Sequence, residues 1–95
     1  MIIETPYKVG DTITAKTVAG EEIIARLEEE KGTKLKVSKP MALTANQQGL
    51  GMVPFTFTVN PESSIELNMN TLVFVAKTDE DMAKQYIQST TGLAV

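Results

Sequence analysis

Apolar and polar residues alternate with period two through most of the first half of the chain, the signature of half-buried strands. Thr12 to Val18 places Ile13 and Ala15 on one face and Thr12, Thr14 and Lys16 on the other, and it ends at Ala19-Gly20. Glu22 to Glu29 sets Ile23, Ala25 and Leu27 against Ile24, Arg26 and Glu28, so one face forms a core stripe and the other is mostly solvated. Thr12–Glu29 therefore reads as a hairpin, preceded by a turn at Val9-Gly10-Asp11. After a second turn at Lys31-Gly32, Lys34 to Lys39 alternates again with Leu35 and Val37 inward, and Pro40 ends or bends that strand. Thr44 to Pro54 loses the period and holds Asn46-Gln47-Gln48-Gly49-Leu50-Gly51, which predicts the long loop of the domain. Phe55, Phe57 and Val59 resume the alternation as core positions of a further strand. Asn60 to Ser64 breaks it, and Ile65 to Val75 is apolar-rich with a polar interruption at Asn68–Thr71. Four or five antiparallel strands result.

The period changes in the last segment. Thr78 followed by Asp81 fits a helix N-cap, and the acids at 79–81 suit the positive end of the helix dipole. Met82, Tyr86 and Ile87 fall on one face at helical spacing, and Gly92 supplies a stop. A helix of roughly three turns is not stable alone, so its apolar stripe docks on the sheet or on a neighbouring subunit. These elements predict a single domain over residues 1–95, mainly β: a small, strongly bent antiparallel barrel or half-barrel of the SH3-like or OB-like kind with one C-terminal helix. Such barrels usually bind rather than catalyse.

Composition narrows the chemistry. With no cysteine or histidine among 95 residues, disulfides, thiol nucleophiles, histidine relays and the usual zinc sites are excluded, and a metal would have only oxygen ligands. No cofactor and no enzymatic activity are expected. No apolar run approaches the ~20 residues that span a bilayer, and the N-terminal residues lack the pattern of a signal peptide, so a cytoplasmic location without a membrane partner is expected. A domain this small gains from burying its edges against copies of itself, so oligomerisation is expected too.

The net charge of −3 is unevenly spread. Residues 31–54 carry Lys31, Lys34, Lys36 and Lys39 and no acid, whereas the segments before and after are net acidic. An anion-binding surface would start from that middle third, where Lys31, Lys34 and Lys36 could contact phosphates; as a bland alternative they form a solvated strand face. Asn46, Gln47 and Gln48 could read base edges or be a plain surface loop. Tyr7, Phe55 or Phe57 could stack on bases, although the alternation of the phenylalanines favours core packing. Glu28-Glu29-Glu30 and Asp79-Glu80-Asp81 are the two carboxylate clusters; consecutive acids on a strand face opposite ways, and the second cluster suits the helix start.

The stretch Thr12-Ile-Thr-Ala-Lys-Thr-Val-Ala-Gly20-Glu-Glu-Ile-Ile-Ala-Arg-Leu27, followed by Lys34-Leu-Lys-Val37, resembles the first motif of the Sm/LSm family. Over nearly its whole length the chain is similar to the small Sm-like proteins of tailed phages of cyanobacteria. The matching segments are Val37-Ser-Lys-Pro-Met-Ala-Leu43, Gln47-Gln-Gly-Leu-Gly-Met-Val-Pro-Phe55, and Val75-Ala-Lys-Thr78 leading into Gln85-Tyr-Ile-Gln-Ser-Thr-Thr-Gly-Leu93. The resemblance implies a highly bent five-stranded Sm-like sheet and a closed homo-oligomeric ring, of five to seven subunits, in which a strand of one subunit pairs with a strand of the next. It also implies binding of uridine- or adenine-rich single-stranded RNA around the pore. Where the family's first motif has an aspartate and an asparagine after the second strand, this chain has approximately Lys31 and Lys34. The second motif's arginine–glycine pair falls near Asn60-Pro61 or near Asn68-Met69, depending on the register. The fold therefore carries over more fully than the pocket.

Three functions compete at this point. The first is an Sm-like ring that binds or chaperones single-stranded RNA, in phage-infected cells, through the lysine strand and the glutamine-rich loop. The second is a ring used as a structural or protein-interaction scaffold without nucleic acid. The third is an isolated SH3-like peptide-binding module, which would need more surface aromatics than two tyrosines and three phenylalanines provide.

Overall fold

The computed structural model describes residues 7–56, 58–60 and 63–91, with Asn46 and Thr91 described by their backbone only. Among the described residues six strands and one α-helix follow in chain order: β1 (Thr12–Thr17), β2 (Glu22–Lys31), β3 (Lys34–Asn46), β4 (Gly49–Pro54), β5 (Ser64–Asn68), β6 (Leu72–Lys77) and α1 (Glu80–Thr91). A single turn of 3-10 helix, Met69–Thr71, links β5 to β6. All the pairings are antiparallel and the order across the sheet is β4-β3-β2-β1-β6, with β5 also on β3.

The first hairpin forms as its alternation predicts. Ile13 lies opposite Ala25 and Ala15 opposite Ile23, so the apolar stripes of β1 and β2 share one face. That face, continued by Leu27, Leu35 and Val37, is buried to 2% exposure or less, and Tyr7, Ile65, Leu67, Met69, Leu72 and Val75 pack round it. Two irregularities in the β2–β3 register bend the sheet. One leaves Glu28 as an extra residue on β2. The other sets Lys39-Pro40 against Ala25, with Lys39 in the left-handed region at φ 50°. Pro40 thus bends β3 rather than ending it, and β3 uses its two halves for different partners: residues 34–38 pair with β5 and residues 41–46 with β4.

The helix docks on the outer face, away from the core stripe. At its start the Thr14 and Thr78 hydroxyls share a 2.8 Å hydrogen bond, and nearer its end the Tyr86 hydroxyl donates to the carbonyls of Lys39 (2.8 Å) and Ser38 (3.2 Å). These anchors flank Ile24, the cross-strand neighbour of Thr14. The face expected to be mostly solvated therefore holds a residue only 1% exposed.

Three further expectations are corrected. Residues 44–54 are not a long loop: β3 runs on to Asn46, Gln47-Gln48 makes a two-residue turn, and β4 returns beside it with Asn46 opposite Gly49. Residues 55, 56, 58 and 59 form no strand: the Phe55 amide still donates to the Pro40 carbonyl of β3 (3.0 Å) and Phe55 is half-buried, but the pairing goes no further and Val59 is exposed. The N-cap is Asp79, whose carboxylate accepts the Asp81 amide (3.2 Å), while Thr78 is buried against Thr14. Of the α1 stripe, Tyr86 is buried, Met82 half-buried and Ile87 exposed. Phe57, Pro61 and the Gly92 stop lie outside the described residues. The bent five-stranded sheet with a C-terminal helix is present as β1, β2, β3, β5 and β6, and β4 extends it as a sixth strand.

Candidate nucleic-acid interface

Two turns distant in sequence meet at one end of the sheet. The first joins β2 to β3 at Gly32-Thr33, where Gly32 takes φ +56°. The second is the 3-10 turn Met69–Thr71. The Met69 amide donates to the Thr33 carbonyl (2.8 Å), and Lys34 lies opposite Asn68 in the β3–β5 ladder. The second turn is held by its own polar groups: the Asn68 side-chain oxygen accepts the Asn70 amide (2.9 Å), and the Thr71 hydroxyl donates to the Asn68 carbonyl (2.7 Å). Its far side is tied to β1 by the Val18 amide donating to the Thr71 carbonyl (2.9 Å). The exposed Asn70 side chain thus sits on a rigid platform beside the lysines.

Lys31, Lys34 and Lys36 share the outer face, because Lys31 is the cross-strand partner of Lys34 and Lys36 follows two residues on. Acids interleave with them. Lys31 lies 3.7 Å from Glu29, Lys34 lies 3.8 Å from Glu66, and Lys36 sits in register between Glu29 and Glu66. All of these side chains are largely solvated, so each pair is worth no more than about 1 kcal/mol and an incoming phosphate can displace it. The face can take up a polyanion, with an affinity set by how many lysines exchange partners.

Asn46, Gln47 and Gln48 do not join this cluster within one chain. They form the turn at the other end of β3, and twelve residue steps at ~3.3 Å separate Asn46 from Lys34 along the strand. Gln47 and Gln48 are exposed there. Tyr7 is not a free stacking platform: its ring packs on the core and its hydroxyl donates to Glu30 (3.2 Å). Burial, and then the Glu30 charge and hydrogen bond, raise the pKa of this phenol. Phe55 lines a shallow groove of about 600 Å³ with Lys16, Glu21, Glu22 and the start of the β3–β4 hairpin.

The three consecutive glutamates take three separate partners: Glu28 accepts the Ser38 hydroxyl (2.6 Å), Glu29 faces Lys31 and Glu30 meets Tyr7. Among the described residues no cluster of acidic side chains is arranged to hold a metal ion. The asparagines of the second turn are the site residues that the sequence pattern alone passed over. Their signal was the polar break at residues 68–71 between two apolar runs, which becomes a site only once β5 is registered on β3.

No family model and no curated protein matches this chain. Solved structures do. A heptameric archaeal Sm protein, described for its implications for the eukaryotic snRNP core, superposes with a TM-score of 0.52 at 10% identity, covering 75% of this chain and 90% of its own. The P. aerophilum SmAP1 heptamer gives the same TM-score and identity, covering 75% of this chain and 82% of its own. At that identity the likeness establishes the fold, which is Sm-like.

Proposed function

We propose that the chain is the subunit of a closed homo-oligomeric ring that binds single-stranded RNA where the two turns meet. The observation carrying this reading is the bond between Met69 and Thr33, which joins Lys31 and Lys34 to Asn68 and Asn70 on one rigid rim. Lysines there would hold phosphates, and the Asn70 amide would meet base edges of an unstacked strand. The role is one of binding rather than catalysis.

Ring closure is supported by the sheet edges. Among the described residues β5 pairs only with β3 and β6 only with β1, so each leaves a row of backbone donors and acceptors unused. The two strands are of similar length, and β6 exposes Val73 (65%) and Phe74 (46%) beside its edge. Pairing β5 of one copy with β6 of the next uses both edges, and a head-to-tail contact that closes gives a ring. Five to seven subunits is the proposed size, and both structural neighbours are heptamers. The resemblance to Sm-like proteins of tailed cyanobacterial phages supports a role in the infected cell.

The interleaving of Glu29 and Glu66 with the lysines, and the net charge of −3, favour a second reading: a ring that serves as a protein scaffold and leaves RNA alone. Titration with oligouridylate and oligoadenylate at stepped salt separates the two. The RNA ring binds at low salt, loses affinity steeply as salt rises, and fails to bind as the Lys34→Glu/Lys36→Glu variant. Absence of binding at low salt overturns the RNA reading and leaves the scaffold.

A further inference from the structure

A second groove lies on the outer face, between the last turns of α1 and the bend of β3. Register places Thr12, Arg26, Ser38 and Ser64 in one row across β1, β2, β3 and β5. At ~4.8 Å per strand the row spans roughly 14 Å. Lys39 adds a second cation from the bulge, and Tyr86, Ile87 and Thr90 of α1 form the opposite wall. The groove is half open to solvent, with a volume of about 450 Å³, within the range of small-ligand sites.

The polar groups divide into those already committed and those free to meet a ligand. The Ser38 hydroxyl donates to Glu28, the Tyr86 hydroxyl to the carbonyls of Ser38 and Lys39, and Thr90 to the backbone of its own helix. Glu28 is the acid of the groove, and it is occupied by Ser38 at 2.6 Å and by Arg26 Nε at 3.7 Å. That leaves the remaining N–H groups of Arg26, the Lys39 ammonium, and the hydroxyls of Thr12 and Ser64. Two cations against one engaged carboxylate give the groove a net positive charge. Lys39 is also the one non-glycine residue among those described with a positive φ, a conformation that costs a lysine about 1 kcal/mol or more and suits glycine. A strained backbone position that carries a cation into a groove is better explained by the cation than by the backbone.

We propose that this groove binds a nucleoside monophosphate, either free or as the 5′-terminal nucleotide of a strand. The guanidinium fork of Arg26 and the Lys39 ammonium take the phosphate monoester, the Thr12 hydroxyl, next to Arg26 in the register, donates beside them, and Ile87 lies against the nucleoside. The site needs neither the ring nor the turn cluster.

The test uses the whole protein and phosphorus NMR or calorimetry with adenosine monophosphate, inorganic phosphate and adenosine at low salt. The expected result is that adenosine monophosphate binds, inorganic phosphate competes and adenosine does not. Lys39→Gly is the informative variant, since it removes the charge while giving the bulge its preferred residue. It should weaken binding roughly tenfold or more without lowering the melting temperature. Arg26→Gln should weaken binding comparably. Competition by a 5′-phosphorylated but not a 5′-hydroxyl oligouridylate assigns the strand end as ligand, and competition by neither assigns the free nucleotide. No binding of adenosine monophosphate, equal binding of adenosine, equal competition by both strands, or unchanged affinity in Lys39→Gly overturns the proposal.

Discussion

The two halves of β3 belong to regions of different character. Residues 34–38 lie between β2 and β5, with Leu35 and Val37 fully buried. Residues 41–46 form an arm with β4, in which no described side chain is buried and Leu50 is 64% exposed. The first region is held by side-chain packing and the second by its backbone ladder and its turn. A chain can thus extend a sheet beyond its core when hairpin geometry supplies what packing does not. The bulge at Lys39-Pro40 is the boundary, and Tyr86 is the clamp that fixes it.

Substitutions should separate these regions sharply. Leu27→Ala empties a fully buried site at the centre of the core and should cost about 3 kcal/mol in denaturant unfolding, a large share of the stability of so small a domain. Tyr86→Phe keeps the ring but removes the donor to two carbonyls, and should cost roughly 1–2 kcal/mol. It also has a pH signature. Burial raises the Tyr86 pKa to about 12 from the ordinary 10, so the folded state keeps its proton where the unfolded state has lost it. The resulting stabilisation is complete below pH 10 and disappears as pH rises towards 12. Tyr7 is shifted in the same direction, so Tyr86→Phe should flatten part of the alkaline decline in melting temperature and Tyr7→Phe a further part.

Smaller effects are expected in the arm. Gly49 takes φ +118° just after the Gln47-Gln48 turn, so Gly49→Ala should cost about 1 kcal/mol, with faster amide exchange confined to β4 and the facing half of β3. Leu50→Gln should change the unfolding free energy by less than about 0.5 kcal/mol. A large loss from Leu50→Gln would mean that the arm is packed against something in solution, and the contrast between the regions would then fail.

The same contrast explains what was legible in the sequence. The β1–β2 hairpin and the inward positions of β3 follow from strict alternation, because one face is buried and the other is not. In the arm both faces are open, so alternation carries no information, and Gln47, Gln48, Gly49 and Gly51 have the composition of a loop. Phe55 and Val59 show the converse: they alternate, yet the contact with β3 stops at the Phe55 amide and the period makes no strand. At the candidate interface the lysines were visible as an acid-free run of charge. Their pairing with Glu29 and Glu66, and their nearness to Asn68 and Asn70, depend on the registers of β2 and β5 against β3, which no local pattern encodes. Arg26 and Lys39 form a groove only because a bulge and a helix from the far end of the chain meet there.

The proposed function depends on β5 and β6, each paired on one side only among the described residues, closing a ring. The most direct test is the absolute mass in solution by light scattering coupled to size exclusion, at low and high salt. A single sharp species of five to seven chains, unchanged by salt because it is held by backbone pairing and apolar contacts, is the expected result. A monomer at both salt concentrations would contradict it.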